Sequence, residues 1–319
     1  MTTHILLSGA GFSRNWGGML TPEVFQYLLG CNELDTELRR LLLRDRSFED
    51  VLAALQNAPD IDSKRRHDQL TSALVGMFNR MGLAFMQREF EFRNPPDTRY
   101  SLTNFLMRFD AIFTLNQDTL LEQKYIPFVG PPKWGRAHLP GVKYPGNPQF
   151  TGSVHDRIAV MEPNPSDFRL SPGVQPYIKL HGSTNWNDGP SGRRILIMGG
   201  QKAVSINQFP ILSWYHQEFR KMLMRPGARL MVIGYSFSDV HINDAIMDAV
   251  KQSDLKIFLV DPLGDRILDK REPRAMIPDH PDPLVEIIPP RLIGISRRPI
   301  ASTFNDDIVE HGNLTRFFD

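Results

Sequence analysis

Five short apolar runs constrain this chain most, because each stops abruptly at a glycine or a polar residue. They are His4–Ser8 (HILLS), Asp110–Leu115 (DAIFTL), Tyr177–Leu180 (YIKL), Arg229–Ile233 (RLMVI) and Lys256–Val260 (KIFLV). An apolar run of this length, bounded by turn residues, suits a strand buried on both faces. Ile195–Met198 (ILIM) is a further strand candidate. Trp214–Met224 and His241–Lys251 carry helical spacing between the later runs. Strands alternating with helices imply parallel βαβ units. The expected fold is therefore α/β, a Rossmann-like doubly wound parallel sheet. At 319 residues the chain is long enough to bury a substantial core.

Two stretches interrupt the alternation. Residues 20–106 read as a helical insertion within one domain spanning 1–319. Pro22 suits a first helical turn. Leu34, Leu38, Leu41 and Leu42 share one helical face, and Phe48, Val51, Leu52 and Leu55 repeat the spacing. A long helix is expected over Asp62–Phe92, carrying Leu70, Leu74, Met77, Met81 and Phe85 and ended by Asn94-Pro95-Pro96-Asp97. Residues 126–176 are rich in Pro and Gly and read as an irregular insertion.

Composition narrows the function. Thirty-seven Lys and Arg balance 36 Asp and Glu, which argues against a binder of nucleic acid that works through bulk charge. Cys31 is the one cysteine, so an internal disulfide and a Cys-x-x-Cys metal site are excluded. The nine histidines form no His-x₃₋₅-His pair, so no metal is expected. No apolar stretch approaches 18 residues, and the N-terminal run lacks the basic start of a signal peptide. The expected setting is cytoplasmic, without membrane attachment.

Chemistry is expected where ligands sit in open α/β sheets, at the carboxyl ends of the strands. Ser8-Gly9-Ala10-Gly11-Phe12-Ser13-Arg14 follows the first run. Its glycines would let backbone approach a pyrophosphate, and a following helix would offer free N–H groups; a tight strand-to-helix turn is the plain alternative. Thr114-Leu115-Asn116-Gln117-Asp118 ends the second run, where Asn and Asp are also ordinary turn and cap residues. Lys179-Leu180-His181-Gly182-Ser183 offers an imidazole, either a general base or a structural histidine. Gly234-Tyr235-Ser236-Phe237-Ser238-Asp239 is a glycine turn with a cap for the next helix. Asp261 at the last strand tip has the chemistry to accept a ribose hydroxyl.

In this order the segments resemble the sirtuin family of NAD-consuming enzymes. Sirtuins carry GAG-x-S, a TQN-x-D segment, a catalytic HG and a GTS-type loop. The resemblance runs from Gly9 to Asp261, about four-fifths of the chain. It departs from the deacylase sirtuins in two places. Asn15-Trp16-Gly17-Gly18 stands where they carry Pro-Asp-Phe-Arg, and the four cysteines of their zinc ribbon are missing. With a helical insertion and no zinc ribbon, the chain is similar to the divergent bacterial sirtuin-like domains of anti-phage defence systems.

That resemblance implies cleavage of NAD, as substrate, to nicotinamide and ADP-ribose in an abortive-infection system. It implies that Asn116 positions the attacking water or ribose hydroxyl, that His181 accepts a proton, and that Asp118 holds the nicotinamide ribose or stabilises charge. Gly9, Ala10, Gly11 and Ser13 would cradle the pyrophosphate. Gly234 and Ser236 would pin the adenosine side, with Asp261 on a ribose hydroxyl. Phe12 and Trp16 either wall the pocket or pack the core. The 58 residues after Asp261 leave little room for a fused sensor. A separate trigger subunit is therefore expected, such as a ring-forming ATPase or an Argonaute-like protein, together with homo-oligomerisation through the helical insertion. Other readings are a deacylase or ADP-ribosyltransferase, and a non-catalytic subunit that senses NAD or ADP-ribose.

Overall fold

A computed structural model of the chain describes residues 2–93, 97–130, 133–143, 160–200, 202–269 and 283–319. Its centre is an all-parallel seven-stranded sheet with helices on its faces, a Rossmann-like α/β fold. The strands in chain order are β1 (Thr3–Ser8), β2 (Ala111–Thr114), β3 (Arg136–His138), β4 (Val142–Lys143), β5 (Glu162–Pro163), β6 (Val174–Lys179), β7 (Gly182–Asp188), β8 (Arg193–Leu196), β9 (Ala228–Ile233), β10 (Lys256–Val260) and β11 (Leu292–Ser296). The sheet runs β11-β10-β9-β1-β2-β6-β3, and every neighbouring pair is parallel.

The apolar runs form strands because both faces of the sheet are covered. Ile5, Leu6, Ile112, Phe113, Leu230, Met231 and Ile257 are buried completely or nearly so. From β1 the chain builds toward β2 and β6, then returns to add β9, β10 and β11 on the other side. The strand order therefore reverses between β1 and β9. A crevice opens at such a point, outside the carboxyl ends of the strands.

Between β1 and β2 lie the helices Thr21–Leu29, Thr36–Asp45, Phe48–Asn57, Ile61–Met86 and Leu102–Met107. Polar caps mark four of their starts, Ser101 accepting the Asn104 amide at 3.1 Å before Leu102–Met107. Asp35 accepts the Leu38 amide at 2.8 Å, Ser47 the Asp50 amide at 3.2 Å and Asp60 the Ser63 amide at 2.8 Å. The apolar faces read from the spacing are buried, Leu38, Leu42, Leu70 and Phe85 among them. The long helix is shorter than expected and stops at Met86.

Other expectations are corrected. Ile195–Met198 is not a strand of the parallel sheet. The strand is Arg193–Leu196, and it pairs antiparallel with β7 as a separate hairpin. The 126–176 stretch is not irregular throughout. Within it β3 joins the sheet edge, β4 pairs with β5, and β6 begins at Val174; residues 131–132 and 144–159 of it lie outside the described residues, as do 94–96 of the expected helix stop. Among the described residues no zinc ribbon stands beside the sheet, and no helix is long and apolar enough to cross a membrane.

Candidate functional site

The crevice at the reversal of strand order is a cleft of about 840 Å³, within the range of small-molecule sites. Gly9, Ala10, Gly11, Ser13, Asn116, Asp118, His181, Gly234, Ser236 and Asp261 all line it. Segments up to 252 residues apart in the chain thus converge because each leaves a strand at its carboxyl end.

The floor is made where two glycine turns cross. Gly9 N–H donates to Ile233 O at 3.0 Å, and Gly11 N–H donates to Gly234 O at 2.9 Å. Phe12 N–H turns back to Gly9 O at 2.9 Å. Two N–H groups of the expected phosphate cradle, on Gly9 and Gly11, are therefore taken by the protein itself. The following α-helix is a single turn, Ala10–Ser13, so its end brings little dipole to a ligand. Phe12 and Trp16 are core residues, each 1% exposed, with their rings 5.2 Å apart.

Asn116 is fixed by this floor. Its Nδ2 donates to Gly9 O at 2.9 Å and to Ser13 Oγ at 2.9 Å, while its own amide N–H donates to Thr114 Oγ1 at 3.0 Å. The side-chain oxygen, which bonds no described residue, is left to accept from a ligand or water. Ser13 is buried, and its hydroxyl serves Asn116. Asp118 accepts the Leu120 amide at 3.0 Å, ordinary turn chemistry, while still lining the cleft. Its carbonyl accepts from Lys179 Nζ, and that ammonium also reaches Glu122 at 2.6 Å in full burial. Asp261 accepts the Leu263 amide at 2.8 Å.

His181 is 3% exposed and stands at the cleft wall. Its Nε2 lies 3.1 Å from Nε2 of His241, on the first turn of the helix Val240–Ser253. Burial, first, holds the His181 imidazole well below the usual histidine range; Lys202 and the neighbouring histidines add to this, and Asp239 opposes it. His181 is neutral at pH 7 and so able to accept a proton.

The sequence did not bring out the charged pair beside it. Lys202 Nζ lies 2.8 Å from Asp239 and 3.1 Å from Glu49 of the helix Phe48–Asn57. Burial works to lower the Lys202 ammonium, but Asp239 and Glu49 outweigh it and hold it above its ordinary value. The loop that presents Asp239 is locked by Tyr235 and Asn243, whose side chains meet at 2.9 Å, and by Asn243 on Phe237 O at 2.8 Å. Phe237 takes a left-handed conformation, φ 53°, which a bulky side chain rarely adopts. Ring nitrogens of His181 and His241 and a carboxylate oxygen of Asp239 lie within 4.8 Å of one another. The Lys202 ammonium supplies a positive charge to that cluster. Lys202 and Glu49 sit on helices with no motif around them; the one legible signal was a histidine just after the Gly-x-Ser turn.

A family model for the SIR2-like domain matches residues 110–276, from the start of β2 to beyond β10. No curated protein matches the chain. The match takes in Asn116, Asp118, His181, Gly234, Ser236 and Asp261, and the fold brings the Gly9–Ser13 turn to the same cleft. A SIR2-like domain fits NAD-dependent chemistry and implies NAD as the substrate. With just over half of its length matched, the chain belongs to the SIR2-like domain family.

Proposed function

We propose that the chain is an NAD glycohydrolase that cleaves NAD to nicotinamide and ADP-ribose. One observation carries the reading: Asn116, with its side-chain oxygen left over, and neutral His181 share one cleft with the crossed glycine turns. In hydrolysis the C1′–nicotinamide bond breaks with its electron pair leaving on nicotinamide. Asn116 Oδ1 orients the attacking water, and His181 accepts the proton that this water gives up. Asp118 borders the nicotinamide ribose. Ala10 and the turn around it approach the pyrophosphate, and Gly234, Ser236 and Asp261 border the adenosine side.

A hydrolase is favoured over a deacylase by the single cysteine, which cannot build the zinc module that frames a peptide cleft. We extend the proposal to the biological role that the resemblance implies: the effector of an abortive-infection anti-phage system, cytoplasmic and oligomeric, held in check by a separate trigger subunit such as a ring-forming ATPase or an Argonaute-like protein. The test is incubation of the purified chain, alone and with its trigger partner, with NAD in the presence and absence of an acetylated peptide. Release of nicotinamide and ADP-ribose without peptide is expected. Strictly peptide-dependent turnover, or NAD binding with no turnover in either state, would overturn the proposal.

A further inference from the structure

NAD hydrolysis has a product that the residues above do not dispose of. NAD carries a pyridinium charge that nicotinamide lacks, so each hydrolysis leaves one proton behind. His181 is buried, and burial disfavours an imidazolium there, so while product fills the cleft the proton needs another way out. His181 lines the cleft, whereas His241 is not among the lining residues and is only half-buried. Their Nε2 atoms face each other at 3.1 Å, a hydrogen-bond distance. That contact holds one hydrogen, because two lone pairs would repel and two N–H groups would clash.

We propose that His241 is the second station of a proton path leading out of the cleft, with Asp239 balancing the charge that passes through it. This rests on the hydrolase reading above. Bond by bond, the attacking water loses its proton to the His181 nitrogen that faces the cleft. The His181 Nε2–H bond breaks, its electron pair stays on the ring, and a new N–H bond forms at His241 Nε2. His181 is neutral again, and His241 is an imidazolium that yields a proton to bulk water. After the product leaves, water in the open cleft takes the proton from the cleft-facing His181 nitrogen, His241 Nε2 returns its hydrogen to His181 Nε2, and solvent reprotonates the other His241 nitrogen, so both rings are reset. No oxidant, reductant or further reactant is needed.

The surroundings suit a cation that is transient. Asp239 favours the charged form of both rings, and Asp244 adds to this at His241. Lys202, His216 and Arg220 oppose a resting charge on the pair. His216 itself is turned away, its Nε2 bonded to Leu180 O at 2.9 Å. His241 acts through His181 and is a positioning and relay residue, not a catalytic one.

The experiment compares wild type, His241→Ala and His241→Gln with NAD under conditions where wild type turns over, adding imidazole up to saturation. In His241→Ala kcat should fall about 10²-fold, with KM nearly unchanged. Imidazole should restore it in a saturable way, since His241 is reached from solvent, and should do much less for His241→Gln, whose side chain fills the space. On ¹⁵N-labelled wild type, the ring nitrogens should show one Nε2–H shared by the pair. Normal kcat in both variants overturns the relay while leaving the hydrolase reading intact. So does loss of activity in a well-folded His241→Ala that imidazole fails to restore, or turnover that depends on a bound metal and is lost on chelation. If wild type releases no nicotinamide, with or without its partner, the hydrolase reading falls and the relay with it.

Discussion

Gly11 and Gly234 touch backbone to backbone beneath the cleft, joining the turn after β1 to the turn after β9. A Cβ built on Gly11 would lie 2.7 Å from Gly234 Cα, and one built on Gly234 would lie 2.5 Å from both Gly11 Cα and its carbonyl carbon. Gly234 also sits at φ 61°. The glycines of the motif therefore answer first to each other and only then to a ligand. From the sequence, Gly11 was expected to leave room for a pyrophosphate; in the structure its missing side chain leaves room for Gly234.

This orders two substitutions. Gly11→Ala forces backbone apart at one contact and should cost about 1–3 kcal/mol, as overpacking does. Gly234→Ala meets the same contact and adds about 1 kcal/mol for the left-handed conformation, so it should be the worse of the two. Urea denaturation of both variants measures this. Two variants as stable as wild type would show that the turns part without cost.

Asn116 separates a structural role from a chemical one. Asn116→Ala removes two bonds to the glycine turn, at Gly9 O and Ser13 Oγ, and should cost about 1–2 kcal/mol of stability. It also removes the oxygen that would orient water, so NAD turnover should drop by about 10²-fold. Asn116→Asp keeps an oxygen but sets a carboxylate against the Gly9 carbonyl, and should be destabilised at least as much. Melting temperature and nicotinamide release, measured side by side, test both halves. Turnover unchanged in Asn116→Ala would remove it from the mechanism.

Much of this was legible because the sheet is covered on both faces. β1, β2, β9 and β10 show as unbroken apolar runs, and their ends point to Asn116 and Gly234. His181 follows β6 in the same way. Other strands were not legible for physical reasons. β3 (RAH) is three residues at an edge, and β7 (GSTNWND) is mostly polar although its first five residues are buried. Arg193–Leu196 is held by a local hairpin, which no apolar count can tell from a sheet strand. The charged side of the site depends on Lys202 reaching Asp239 across 37 residues and Glu49 across 153, distances that carry no periodic signal.

The buried histidines set an acid limit on stability. Burial pushes His216 down to about 4 and His181 well below the ordinary 6.5. Between those values the unfolded chain binds protons that the folded one refuses, so stability is full above about pH 6.5 and is lost as pH falls toward 4. For His216 alone the loss amounts to about 3 kcal/mol at pH 4. His216→Gln retains a donor for Leu180 O without titrating. Urea melts at pH 7 and pH 4.5 should show a smaller loss in this variant than in wild type. Equal losses would mean that His216 is not what fails in acid.

Lys179 and Glu122 form an interaction in which stability and activity should part company. Lys179 Nζ is wholly buried, 2.6 Å from Glu122, with Tyr177 OH on the other carboxylate oxygen at 3.1 Å. Burial raises the Glu122 carboxyl, and Lys179 opposes that rise. Lys179→Met strands the carboxylate and should cost about 3–5 kcal/mol. Replacing both partners, Lys179→Met with Glu122→Leu, removes the stranded charge along with its partner and should recover most of that loss. Activity should not return with it. The same ammonium holds the Asp118 carbonyl, two residues from Asn116 and on the cleft wall, and no apolar side chain replaces that bond. A displacement of about 1 Å at a reacting centre costs roughly 10²-fold in rate. The double variant should therefore melt near wild type while hydrolysing NAD far more slowly. If it recovers full turnover, Lys179 serves packing alone, and the Asp118 carbonyl needs no anchor.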